Sequence, residues 1–144
     1  GGGAVIFVAS VAAYFAYAPD NAAYSSSKGA VITMTRSLAV ELGRANIRVN
    51  CICPGLVRTP MVDPIFQQVA DARGVSLDEA YAICGAELPA GRIGLPGDFG
   101  APVAFLASDE SRWITGAVLN VDGGTTALNP GIMSVVAQMN PTGQ

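Results

Sequence analysis

Tyr24 and Lys28 lie four residues apart in the run Asn21-Ala22-Ala23-Tyr24-Ser25-Ser26-Ser27-Lys28, and Lys28 is the only lysine of the 144-residue chain. On an α-helix, an i, i+4 pair shares one face. A phenol beside a fixed ammonium can exchange a proton with a ligand, because the cation favours the phenolate. Two further features could join this pair. Ser10 offers a hydroxyl at the end of an apolar run, and Pro54-Gly55-Leu56-Val57-Arg58-Thr59 offers a turn with exposed backbone groups and a second hydroxyl. Each alone has an ordinary reading. A Tyr-x-x-x-Lys pair recurs by chance on surface helices, Ser10 could cap a loop, and Thr59 before Pro60 could cap a helix. Their order along the chain is what points to chemistry.

These residues need a scaffold, and the apolar pattern supplies one. Ala4 to Ala9 is a short continuous apolar run behind three glycines, as in a buried parallel strand. From Ala22 to Leu42 the pattern is helical, with Val31, Met34, Thr35, Leu38 and Leu42 at helix spacing and Gly43 placed to stop it. Ile47 to Cys53 reads as a second strand, closed by Pro54-Gly55. Residues 60–90 carry one or two short helices, one over Ser76 to Cys84 behind a capping box at Ser76-Leu77-Asp78-Glu79. A further helix is expected over Asp98 to Ala107, with Pro102 delaying its start or kinking it. Ala117 to Val121 is a third strand.

Strand, helix, strand, helices, strand describes parallel crossovers in a doubly wound α/β sheet, a three-layer α/β/α architecture. Ligands of such sheets bind beyond the carboxyl ends of the strands. Ser10, the start of the Tyr24–Lys28 helix and the Pro54–Thr59 turn all fall at that edge. Three strands make a poor free-standing sheet of this kind, so the first strand is expected to need another neighbour. Residues 1–126 read as one α/β unit and 127–144 as a tail whose apolar residues (Ile132, Met133, Val135, Val136, Met139) dock on the body or serve a partner chain.

Composition narrows the function. Charged residues make up 13% of the chain and the net charge is −3. With seven scattered arginines, that balance argues against nucleic-acid binding, which needs clustered Lys and Arg. The chain has no histidine, which excludes Ser-His-Asp and Cys-His catalysis and the common His-based metal sites; no metal is expected. Cys51, Cys53 and Cys84 show no disulfide-like spacing, which suggests a reducing, cytoplasmic setting, and the first two alternate within an apolar run as strand-core residues do. Residues 1–19 are uncharged and end in Ala16-Tyr17-Ala18-Pro19, but no basic segment precedes the apolar run, so neither a signal peptide nor a membrane span is expected.

The chain resembles the C-terminal, catalytic part of a short-chain dehydrogenase/reductase. The resemblance is carried by Gly3 to Ser10, Tyr24 to Val31, Ile47 to Gly55, Gly91 to Gly94, Phe105 to Ser108 and Ile114 to Gly124, and it covers roughly residues 1–126. It implies a Rossmann-like sheet and a carbonyl–alcohol oxidoreductase that uses NAD or NADP. Ser10 would polarise the substrate carbonyl and Tyr24 would donate or accept its proton. Lys28 would favour the Tyr24 phenolate and hold the nicotinamide ribose. Pro54, Gly55, Leu56 and Thr59 would bind the carboxamide, with residues 60–90 as a mobile substrate loop in which Met61, Phe66, Tyr81 and Cys84 line an apolar pocket. The implied partners are a small carbonyl or alcohol substrate and copies of the same chain, as a homodimer or homotetramer formed through the Ala22–Leu42 helix.

Two departures from the family pattern stand out. Ser10 and Tyr24 are 14 positions apart, one more than the family spacing. The family's glycine-rich dinucleotide loop and its Asn-Ala-Gly motif have no counterpart in these residues. The expectation is therefore a chain that lacks the N-terminal dinucleotide-binding half. The alternative is a non-catalytic half-Rossmann fragment acting as a structural or assembly module.

Overall fold

The structure is a computed structural model, and it describes residues 2–15 and 21–128. The elements are β1 (Gly3–Val8), α1 (Ala22–Leu42), β2 (Ile47–Pro54), α2 (Asp63–Arg73), α3 (Leu77–Ala86), α4 (Gly100–Ala107) and β3 (Val118–Val121). Part of the loop through Pro19 and the tail residues Ile132 to Met139 lie outside the described residues.

The three strands form one parallel sheet in the order β1-β2-β3. β1 pairs with β2 from Gly3↔Ile47 to Val8↔Ile52, and β2 pairs with β3 from Cys51↔Val118 to Pro54↔Val121. Each parallel step needs a crossover, supplied by α1 and then by α2 to α4. β2 is the central strand and is buried without a break from Val49 to Cys53, because both of its faces are covered. Cys51 and Cys53 pack with Ile32 of α1 on one face. On the other, the Arg48 guanidinium donates to the Leu106 and Ser108 carbonyls at the end of α4 and to Ser111 Oγ. Strand alternation thus divides the helices between the two faces, giving the three-layer α/β/α arrangement.

Several local details differ from the sequence pattern. α1 does not stop at a left-handed Gly43; Gly43 is helical and opens a 3-10 turn over Gly43–Ala45, and the chain reverses at Asn46 (φ 59°, ψ 35°). Asparagine tolerates this conformation better than most residues. The reversed Asn46 presents its carbonyl to Gly3 N–H at 3.1 Å, which sets the β1–β2 register. The fully buried stripe of α1 is Ile32, Thr35 and Ala39, not the larger residues at neighbouring positions. Its small members let the helix lie close to the sheet, and Thr35 Oγ1 satisfies itself on the Val31 carbonyl at 2.8 Å. Met34 of the expected stripe is exposed.

The last helix starts later than Asp98. A 3-10 turn over Pro96–Phe99 precedes α4, and Pro102 falls in its first turn, where no N–H is needed. Asp98 anchors this junction by accepting Leu95 N–H at 2.7 Å and both arms of the Arg92 guanidinium at 2.7 and 2.8 Å. Arg92, followed by the Leu95 N–H, holds the Asp98 carboxyl at about 2. A carboxyl lowered on folding stabilises above its ordinary range, and that stability disappears as pH falls toward 2. A carboxyl titration followed by NMR should therefore give Asp98 an apparent pKa of about 2. A midpoint near the ordinary value of about 4 would contradict the Arg92 pairing.

α2 and α3 form a helical hairpin with its own small core. Phe66 and Tyr81 stack with ring centroids 4.0 Å apart, and Ile93 closes the cluster. The α3 start carries the expected capping box, with Ser76 Oγ accepting Glu79 N–H and Ser76 N–H donating to the Glu79 carboxylate. No described helix is long and apolar enough to cross a membrane.

Candidate active site

The carboxyl ends of β1 and β2 open into one cleft of about 610 Å³. Ser10, Tyr24, Lys28, Pro54, Gly55, Leu56 and Thr59 all line it, although they come from three separate stretches of chain. Its other walls are Val8, Ala9, Asn21, Val57, Met61, Val62, Ile65, Pro96 and Phe99. A cleft of this size, mostly apolar with a few convergent polar groups, has the usual character of a small-ligand site.

Ser10 is separated from β1 by Ala9 and caps the short 3-10 turn Val11–Ala13. Its Oγ accepts the Ala12 N–H at 3.2 Å, and the residue is only 8% exposed. With Oγ serving as acceptor, the hydroxyl hydrogen can point to a ligand oxygen. Tyr24 sits in the first turn of α1 and is 44% exposed to the cleft side of the helix. Lys28 lies one turn later, with Nζ 5.7 Å from the Tyr24 ring centroid. The ammonium donates to the Val8 carbonyl at 3.1 Å, which ties α1 to the end of β1. An ammonium has three hydrogens, so this bond leaves two for a ligand.

The turn after β2 is held from both sides. Gly55 N–H donates to Val121 O at 3.1 Å, Gly94 N–H donates to Leu56 O at 3.0 Å, and Arg58 N–H donates to Gly94 O at 2.8 Å. These bonds leave the Leu56 and Val57 N–H groups without a partner among the described residues. Gly55 is required by a close approach: a Cβ there would fall 2.8 Å from Asp122 Cα and Cβ. Gly55→Ala should therefore lower stability by about 1–3 kcal/mol, the usual cost of overpacking. Denaturant unfolding checks this, and a loss below about 0.5 kcal/mol, the range of an ordinary surface change, would contradict the tight packing.

Asp122 backs this turn. Burial works against its charge, but bonds from Thr126 Oγ1, Thr126 N–H and Gly124 N–H outweigh that and hold the carboxyl below its ordinary range.

Of the four residues expected to form an apolar pocket in 60–90, only Met61 lines the cleft. Phe66 and Tyr81 turn inward to their own stack, and Cys84 packs against the same cluster. Val62 and Ile65 take the cleft position instead. The helix period explains Ile65, which is next to Phe66 and so points away from the core that Phe66 enters, whereas Val62, one turn before Phe66, packs against that core and borders the cleft as well. Tyr81 donates to Asp63 at 2.7 Å, and burial, followed by Asp63, pushes its phenol up to about 12. Arg58 stacks 4.4 Å from the Tyr81 ring and pairs with Asp78, which joins the turn after β2 to the α2–α3 hairpin.

A family model described as enoyl-(acyl carrier protein) reductase matches residues 1–126. The chain belongs to the short-chain dehydrogenase/reductase family. Versicolorin reductase 1 of Dothistroma septosporum is 39% identical over 124 residues, which are 85% of this chain and 47% of that protein. Oxidoreductase UcpA of Salmonella typhimurium is 42% identical over 126 residues, 86% of this chain and 46% of that one. A short-chain dehydrogenase family protein of Francisella tularensis superimposes with a TM-score of 0.76 at 40% identity, covering 87% of this chain and 51% of that one. This short-chain dehydrogenase/reductase chain thus spans about half the length of the relatives it matches, which are oxidoreductases. Two similar structures carry a nicotinamide cofactor: an actinorhodin polyketide ketoreductase variant with NADPH (35% identity, TM-score 0.73, 85% of this chain and 47% of that one) and a 4-hydroxyisoleucine dehydrogenase mutant with NADH and succinate (35% identity, TM-score 0.75, 89% and 49%).

Proposed function

We propose that this cleft binds the nicotinamide end of NAD or NADP and interconverts a carbonyl and a secondary alcohol. The observation that carries the reading is the meeting of Ser10, Tyr24 and Lys28 with the Pro54–Thr59 turn in one cleft at the carboxyl edge of a parallel sheet. The donor set fits such a cofactor. The Leu56 and Val57 N–H groups and the Thr59 hydroxyl suit a carboxamide, and the two free hydrogens on Lys28 suit ribose hydroxyls. When bound, the nicotinamide supplies or takes the hydride.

The chain's own groups do the rest. Ser10 donates its hydroxyl hydrogen to the carbonyl oxygen and polarises it. Tyr24 gives that oxygen its proton on reduction and takes it back on oxidation. Lys28 holds positive charge beside the phenol, which stabilises negative charge on Tyr24 once the proton has left. Met61, Val62, Ile65 and Phe99 offer an apolar wall, and among the described residues Lys28 is the only charged side chain on the lining, which favours a carbonyl compound with an apolar body as substrate. Movement of α2 and α3 would then close the cleft and exclude water. Ala30 and Met34 are exposed on α1 and provide the contact for a homodimer or homotetramer.

The test is label transfer from C4-deuterated NADH and NADPH to apolar ketones, catalysed by this protein carried to the length of its relatives. Deuterium on the carbinol carbon is the expected result, and no transfer with any ketone would overturn the reading. A second reading, a non-catalytic assembly module, draws on the edge strand β1, which pairs only with β2 among the described residues. A protein that assembles normally but neither binds a nicotinamide nor transfers hydride would favour it.

A further inference from the structure

We propose that Tyr14 is a positioning residue for Ser10, acting through a hydrogen-bond chain that fastens the Ser10 turn to the end of β3. The proposal rests on the role given to Ser10 above. Ser10 and Tyr14 stand at opposite ends of one 3-10 turn, Val11–Ala13. Within it, Ala13 N–H donates to Ser10 O and Tyr14 N–H to Val11 O, both at 3.0 Å. A single turn of this kind has few bonds and poor bond geometry, so its position depends on what holds it from outside. Val11 and Ala12 give it an apolar footing in the core. Tyr14 gives it a polar one.

The Tyr14 hydroxyl donates to Asn120 Oδ1 at 3.0 Å and lies 3.5 Å from Cys53 Sγ. Asn120 Nδ2 donates to Thr126 Oγ1 at 2.9 Å, and Thr126 Oγ1 donates to Asp122 Oδ2 at 2.7 Å. The chain has a direction. It ends on a carboxylate, which only accepts, so the Thr126 hydroxyl hydrogen, one Asn120 amide hydrogen and the Tyr14 hydroxyl hydrogen each point to the next acceptor. Burial, followed by the Cys53 contact, holds the Tyr14 phenol well above its ordinary range, so it stays a donor wherever the enzyme works. Tyr14 does not line the cleft. Its effect on a ligand must therefore pass through the turn it ends.

The same Asp122 sits behind Gly55 in the turn after β2. The hydrogen-bond chain thus joins the arm bearing Ser10 to the support of the turn assigned to the nicotinamide. A shift of this arm would misdirect the Ser10 hydrogen, whose line is set by the Ser10–Ala12 bond.

Tyr14→Phe keeps the ring and removes only the hydroxyl. In the protein carried to the length of its relatives, kcat should fall about ten- to a hundredfold, the scale of a small misplacement of a reacting group. The KM for the cofactor should change less than twofold. In a Ser10→Ala background the same substitution should change kcat less than twofold, because its target is gone. Asn120→Ala should reproduce the fall, and Tyr14→Phe should add nothing to it. If Tyr14→Phe folds too poorly for kinetics, Asn120→Ala with and without Ser10→Ala makes the same comparison. An unchanged kcat in Tyr14→Phe, or an equal loss with and without Ser10→Ala, overturns the proposal. Full turnover in Ser10→Ala alone overturns the role of Ser10 itself and this proposal with it.

Discussion

Tyr24→Phe should lower turnover by about a thousandfold while leaving nicotinamide cofactor affinity within about twofold. The first figure lies inside the range that a positioned general acid or base contributes. The change removes one oxygen from a side chain that is 44% exposed and whose hydroxyl has no hydrogen-bond partner among the described residues, so neither a core contact nor a structural bond is lost. Lys28 keeps its bond to the Val8 carbonyl, and the Pro54–Thr59 turn keeps its three backbone ties. Steady-state kinetics and a cofactor titration on the protein carried to the length of its relatives separate the two effects. Turnover within tenfold of the parent would remove Tyr24 from proton transfer, whereas lost affinity with unchanged kcat would make it a binding group only.

Asn50→Leu should destabilise the fold by about 3–5 kcal/mol. Asn50 is fully buried in the central strand. Its Nδ2 donates to Ile114 O at 2.9 Å, and its Oδ1 accepts Ala117 N–H at 3.0 Å. Leucine has similar bulk but leaves both backbone groups unpaired in the interior, each at about 1–3 kcal/mol. With total stabilities of about 5–15 kcal/mol, that loss is a large fraction of what holds the sheet together. It also reaches the cleft, because the 114–117 segment leads into β3, which carries Asn120 and ends beside Asp122. Denaturant unfolding measures the cost, and a loss below about 1 kcal/mol would mean that these groups find other partners.

The scaffold was legible where one chemical signal dominated. The apolar runs of β1 and β2 pair as parallel strands, β2 is buried from Val49 to Cys53, and the helical spacing of Ala22–Leu42 gives α1, so local pattern and tertiary position agree in these elements. The cleft residues were legible because the carboxyl ends of parallel strands must share an edge, which brings Ser10, Tyr24, Lys28 and the Pro54–Thr59 turn together. Failures occurred where two side chains compete for one place. Phe66, Tyr81 and Ile65 are all apolar enough for a pocket, and only the facing of α2 and α3 sends the aromatics inward and Ile65 to the cleft. Asn46, rather than Gly43, reverses the chain because the bond from Gly3 N–H sets where β2 must begin. The Tyr14–Asn120 bond joins residues 106 positions apart, and no local pattern announces it.

The proposed function requires the Tyr24–Lys28 cleft to receive the nicotinamide-ribose end of a dinucleotide. Reduced nicotinamide mononucleotide carries that end without the adenylate half, and the chain itself can be titrated with it while its backbone amides are followed by NMR. Saturable shifts are expected at Leu56, Val57 and Thr59 and in the first turns of α1 around Lys28, with all of them lost in Lys28→Ala. Shifts confined to the opposite end of the sheet, around Asn46, Arg48 and Arg112, or no shift at tens of millimolar ligand, would contradict it.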